Sequence, residues 1–118
     1  MSESSDWMRQ AIDELAGAHE AWAQGNAGRG RVGARRAAGM AIKARLAVAP
    51  RPGYGTNFMH HLNALADDDG VEVAVREAAW RLAARKPPED GFAVALPERL
   101  TPMHDVDVIM AWCREGCG

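Results

Sequence analysis

Apolar side chains recur at helical spacing along most of the chain, and the glycines, prolines and polar clusters between them mark off five segments. Met8, Ile12, Leu15 and Trp22, with Ala11 and Ala18 on the same stripe, predict a first helix from Asp6 to Gln24. Ser4 or Ser5 can cap it, and Gly25-Asn26 ends it. Gly25 to Gly33 contains four glycines and reads as a loop. A second helix is expected from about Val32 to Ala49, closed by Pro50 and by Pro52-Gly53. On it, Ala34, Ala37, Ala38, Ala41, Ile42, Ala44, Leu46 and Val48 occupy one wide arc of mostly small side chains, which lets neighbouring helices approach closely.

Thr56 or Asn57 can cap a short third helix through Ala66, with Met59, Leu62 and Leu65 inward. Asp67-Asp68-Asp69-Gly70 reads as a solvated turn. A fourth helix, Val71 to Lys86, turns Val71, Val75, Ala78 and Leu82 to one face. Its exposed side carries Glu72–Arg76 and Glu77–Arg81 at ion-pair spacing. Residues 87–104 read as an irregular strap, extended from Gly91 to Arg99. Asp105 to Glu115 then closes the chain as a fifth helix with Val106, Ile109, Met110 and Cys113 inward. The expected fold is therefore all-α: an up-and-down bundle of four or five helices, forming one domain over residues 1–118.

A length of 118 residues is enough to bury a core, and 47% hydrophobic with 25% charged residues excludes wholesale disorder. No secretory leader or long apolar run stands out, which predicts a cytoplasmic protein with reduced thiols and no membrane contact. A disulfide between Cys113 and Cys117 would close a trivial loop. Trp7, Trp22, Trp80 and Trp112 fall on three of the predicted helices and read as core or interface anchors.

Charge changes the picture more than composition does. The net charge is −2, which excludes a strongly basic nucleic-acid-binding domain. Yet Ala21 to Ala66 contains no Asp or Glu and carries +7, from Arg29, Arg31, Arg35, Arg36, Lys43, Arg45 and Arg51, between flanks that sum to −9. Arg29, Arg36 and Lys43 repeat every seven residues. With Arg35 and Arg51 they form a candidate surface for the phosphates of a nucleotide or RNA, or for an acidic protein partner. The competing reading pairs these cations with the acidic helices of the same chain or of a dimer. Arg45 falls inside the alanine arc, where it is expected to snorkel towards the last carbonyls of its own helix.

Candidate chemistry is sparse. Adjacent His60 and His61 diverge on a helix and suit no common metal. Cys113, Cys117 and His104 make a remote zinc set, and no glycine-rich phosphate loop or other cofactor motif is present, so neither metal nor cofactor is expected. Arg99 and His104 have four residues between them, ahead of the last helix. Held together, such a pair could cleave RNA without metal, the imidazole moving the proton and the guanidinium stabilising the phosphorane. Arg51 and His60 are a looser second pairing of the same kind.

Three segments together resemble the HEPN family of small helical proteins. Ile42-Lys43-Ala44 with Leu46 is similar to the end of the family's alanine-rich second helix, where Arg45 replaces an aliphatic residue and Gly39 a common glutamate. Thr56-Asn57-Phe58-Met59 with Leu62 resembles the start of its third helix. Leu82-Ala83-Ala84-Arg85-Lys86-Pro87 looks like the end of its fourth, with Lys86 in place of tyrosine. The resemblance implies an up-and-down bundle, commonly a homodimer, associated with nucleotide or RNA binding and often partnered by a minimal nucleotidyltransferase. Its ribonuclease members carry an arginine and a histidine at the spacing of Arg99 and His104, but Leu100 stands where they have a polar residue, and Pro102 intervenes. The alanine-rich second helix limits the apolar area a monomer can bury, which also points to a dimer. The expected function is thus a non-catalytic HEPN-like binding and interaction module. A metal-independent, toxin-like endoribonuclease using Arg99 and His104 is the alternative, and a purely structural oligomerisation protein a third.

Overall fold

A computed structural model describes residues 2–83 and 101–117. Among the described residues the chain is all-helical, without strands: α1 (Glu3–Ala23), α2 (Ala27–Val48), α3 (Phe58–Asp67), α4 (Val73–Leu82) and α5 (Pro102–Cys117). They pack as a bundle around α2, which touches every other helix, and α4 lies between α3 and α5. Most of the strap, Arg99 included, and the predicted end of the fourth helix beyond Ala83 lie outside the described residues.

Local capping explains where the helices begin. The Ser2 hydroxyl accepts the Ser5 N–H at 3.0 Å, so α1 starts three residues before Asp6. The Asn26 side chain accepts the Arg29 N–H at 3.2 Å and starts α2 at Ala27, inside the glycine-rich segment that reads as a loop. Two of the glycines there, Gly30 and Gly33, are needed small where α1 and α2 meet. A Cβ on Gly33 would stand 2.8 Å from the Ala18 Cβ, and one on Gly30 would stand 3.0 Å from the Trp22 ring. Tertiary contact overrides the poor helix propensity of glycine. At the other end of the chain, α5 begins at Pro102, so the last three residues assigned to the strap are its first turn. Proline suits a first helical position, and the Thr101 hydroxyl accepts the His104 N–H at 3.2 Å.

The core is built from the small arc of α2 and larger side chains set against it. Ala34, Ala37, Ala38, Ala41 and Ile42 have no exposed surface. Leu62 and Leu65 of α3, Val75 and Leu82 of α4, and Val106, Ile109 and Met110 of α5 close over them. Three members of the predicted stripes lie outside this core: Ile12, Val48 and Met59 are 46%, 53% and 41% exposed.

Ion pairs were expected on the open side of the fourth helix, but α4 uses its arginines between helices. Arg81 reaches the buried carboxylate of Asp105 in α5 at 2.8 Å as well as Glu77 at 3.6 Å. Arg76 donates to the Ala66 carbonyl at 3.2 Å and meets Asp69 at 3.4 Å. Arg45, expected to turn to its own helix end, instead donates to the Trp112 carbonyl of α5 and lies 3.6 Å above the centre of the Trp112 ring. No helix of the described residues is long and apolar enough to cross a membrane.

The seam makes a two-way prediction for thermal or urea unfolding. Gly33→Ala overpacks against Ala18 and is expected to destabilise the protein by about 1–3 kcal/mol. Gly17→Ala, on open helix surface with nothing within 4 Å, is expected to stabilise it by about 0.5–1 kcal/mol.

Candidate functional site

The cationic segment of the sequence becomes α2 and the loop after it, and the structure gives most of its charges a partner inside the chain. Arg35 donates to the Leu82 carbonyl at the end of α4, at 2.7 Å. Arg36 pairs with Glu14 of α1 at 3.0 Å. Lys43 donates to the Thr56 carbonyl at 2.8 Å, with its ammonium 5.5 Å from the centre of the Trp7 ring and 5.8 Å from that of Phe58. Arg51 bonds to Asp68 and to the Tyr54 hydroxyl. Arg29 and Arg31 are the exposed cations at the start of α2, and Arg31 rests 5.6 Å from the centre of the Trp22 ring.

The surroundings of Arg29 are mixed in charge. It lines a groove of about 230 Å3 together with Asp13 and Glu14 of α1, and a neighbouring one of about 170 Å3 with Glu20. Carboxylates at that range oppose a phosphate and favour a partner carrying both signs. The five candidate binding residues Arg29, Arg35, Arg36, Lys43 and Arg51 therefore do not converge on one open patch. Arg35 and Arg51 reach towards α4 and the end of α3, and Arg36 and Lys43 towards α1 and the loop after α2.

His104 is exposed in the first turn of α5, and its partner in the proposed catalytic pair, Arg99, lies outside the described residues. The neighbouring Asp105 faces inward. Burial pushes its carboxyl above the ordinary range, and the Arg81 guanidinium pulls in the other direction. Asp105 is thus a structural anchor of α4 on α5, while the His104 side chain stands in solvent beside it. Among the described residues no three His, Cys, Asp or Glu side chains gather closely enough to hold a metal ion.

Sequence reasoning missed a polar cluster that ties the loop after α2 to both ends of α3. The Tyr54 hydroxyl donates to Asp68 at 2.6 Å and receives Arg51 at 3.4 Å. Asp68 also accepts the Gly70 N–H at 3.0 Å, so one member of the expected solvated turn is fully engaged. The Tyr54 bond holds the Asp68 carboxyl below its usual range. Below this lock lies His61, 1% exposed, with Nδ1 2.7 Å from the Tyr54 carbonyl oxygen. Burial lowers its pKa, against the pull of that carbonyl. The signals available in sequence were slight: a lone tyrosine between two glycines, and an aspartate fourteen residues on.

Tyr54 is the chain's single tyrosine, so its ionisation can be read directly. Burial and the bond to Asp68 raise its pKa from 10.0 to about 12. The folded protein therefore keeps a proton that the unfolded chain loses, and stability falls as the pH rises between those two values. Ultraviolet titration is expected to show phenolate appearing near the upper value. In Asp68→Asn it is expected to appear at lower pH.

Comparison of the chain with protein-family models, with curated proteins and with solved structures finds no match in any of the three.

Proposed function

We propose that this chain is a non-catalytic, HEPN-like interaction module that works as a homodimer, with α1 forming the contact between copies. The observation that carries the reading is the apolar strip left open along α1 and the end of α2. Met8, Ile12 and Val48 line a groove of about 420 Å3 with Ser2, Ser5 and Arg9, and Ile12 and Val48 are about half exposed. The occupant favoured by charge is a second copy. Arg9, which meets Asp6 of its own helix at 3.6 Å in an exposed and therefore weak pair, and Asp13 flank Ile12 on the exposed side of α1. Two α1 helices crossing antiparallel at Ile12 therefore set the cation of each copy against the acid of the other. The engagement of Arg35, Arg36, Lys43 and Arg51 within the chain supports the same reading over a phosphate-binding surface.

Sedimentation at micromolar concentration is expected to give twice the chain mass, and Ile12→Glu is expected to give monomer with unchanged helicity. A monomeric mass for the unaltered chain overturns the dimer. The non-catalytic half is tested separately, by incubating the protein with RNA in the presence of a chelator. Intact RNA is expected, whereas cleavage that disappears in His104→Ala would move the endoribonuclease reading to the front.

A further inference from the structure

The loop between α2 and α3, residues 49–57, is bent at Gly53 and Gly55, whose φ values are 96° and 71°, on either side of Tyr54. It closes tightly on α3: a Cβ on Gly55 would stand 2.5 Å from the His60 Cβ. Tyr54 is its buried member, and Pro52, Gly53, Gly55, Thr56 and Asn57 are exposed, so lifting the loop uncovers little apolar surface. Two polar contacts fasten Tyr54. Its hydroxyl donates to Asp68 at 2.6 Å, and its carbonyl oxygen lies 2.7 Å from His61 Nδ1.

Acid acts on these two contacts at different pH. A carbonyl oxygen can only accept, so the His61 ring proton sits on Nδ1 and Nε2 carries the lone pair. That Nε2 is buried and meets no hydrogen-bonding group among the described residues. A second proton therefore puts both a positive charge and an N–H without an acceptor into the interior. Burial lowers the His61 pKa, the Tyr54 carbonyl opposes that, and the charges of Lys43 in α2 and His60 in α3 lower it further. Glu3 of α1 is the acid on the cavity wall that His61 also lines, and Asp68 is taken up by Tyr54 and Arg51. Once in water the ring takes up a proton near its ordinary value of about 6.5, so the closed loop loses stability as the pH falls through that range. The Asp68 carboxyl is held below its usual range by the Tyr54 bond, and its contact lasts to lower pH.

We propose that His61 is an acid-sensitive latch on this loop: on protonation the ring leaves the interior, and residues 54–57 lift from the first turn of α3 while the rest of the bundle stays folded. Opening also breaks the bond from Lys43 to the Thr56 carbonyl, turning a cation held within the chain towards solvent. The latch is independent of the dimer reading, since it uses none of the strip residues Met8, Ile12 or Val48.

Hydrogen exchange of the full chain tests it at the His60 and His61 amides, which are bonded to the Asn57 side chain and carbonyl. After correction for intrinsic exchange, opening there is expected to rise about tenfold between pH 7.5 and pH 5.5, the effect of one proton. These amides are expected to stay less protected than those of Ala37 and Ala41 in α2 at both values. His61→Gln, neutral throughout, is expected to abolish the rise. His60→Ala is expected to keep it, which separates the latch from the exposed His60 ring 3.2 Å from the Asn57 amide. Should His61→Gln fail to fold, imidazole C–H signals of the unaltered chain decide: His61 is expected to titrate below the ordinary value, in step with the Tyr54 and Gly55 amides. Opening that is the same at both pH values overturns the proposal. So does a rise that survives in His61→Gln or vanishes in His60→Ala, protection equal to that of α2, or a His61 titration that the loop amides do not follow.

Discussion

The close approach of α1 and α2 is the constraint on which the rest of the bundle depends. The two helices run antiparallel, as shown by the pairing of Gly33 with Ala18, Arg36 with Glu14 and Lys43 with Trp7. At the Gly33–Ala18 crossing there is no room for a further carbon atom. α2 is also the helix on which the others rest, so the distance set by its small residues sets the positions of α3 and α5. Gly39 repeats the device at the α3 side, where a Cβ would stand 2.4 Å from the Phe58 side chain. Shape, more than buried area, defines the middle of the molecule.

Charged side chains then finish what small ones begin. A bundle with an alanine-rich centre buries limited apolar area. Its arginines extend their stems over the core and end on groups of other helices: Arg36 on α1, Arg35 on α4, Arg45 and Arg81 on α5 and its carboxylate. Planar guanidinium groups suit this work because they stay charged and offer several donors in fixed directions. Such use removes them from a ligand surface, and the apolar strip around Ile12 becomes the informative feature instead.

The all-helical class and the identity of five helices were legible in the sequence because apolar spacing reports the face that packs, and capping residues lie close to it. The start of α2 was not legible, because Gly28, Gly30 and Gly33 speak locally for a loop, and the close contacts that favour glycine at Gly30 and Gly33 lie on α1. The same holds for Ile12 and Val48, which share the periodicity of the core but fall at its edge. Of the site, the intramolecular use of the cations could be weighed from charge balance alone, since a basic helix between acidic flanks has partners at hand. The union of Tyr54, Asp68 and His61 could not, since it depends on how a proline- and glycine-rich loop turns back over α3.

α3 and α4 have ten residues each, below the length at which an isolated helix holds together in water. Their terminal carbonyls are unmatched within the helix, and here they are met from outside: Leu82 by Arg35 of α2, and Ala66 by Arg76 of α4. Each short helix is thus finished by a side chain delivered from a neighbour that must already be in place. Secondary and tertiary order are consequently one event in this half of the chain: α3 is finished only with α4 in place, and α4 only with α2.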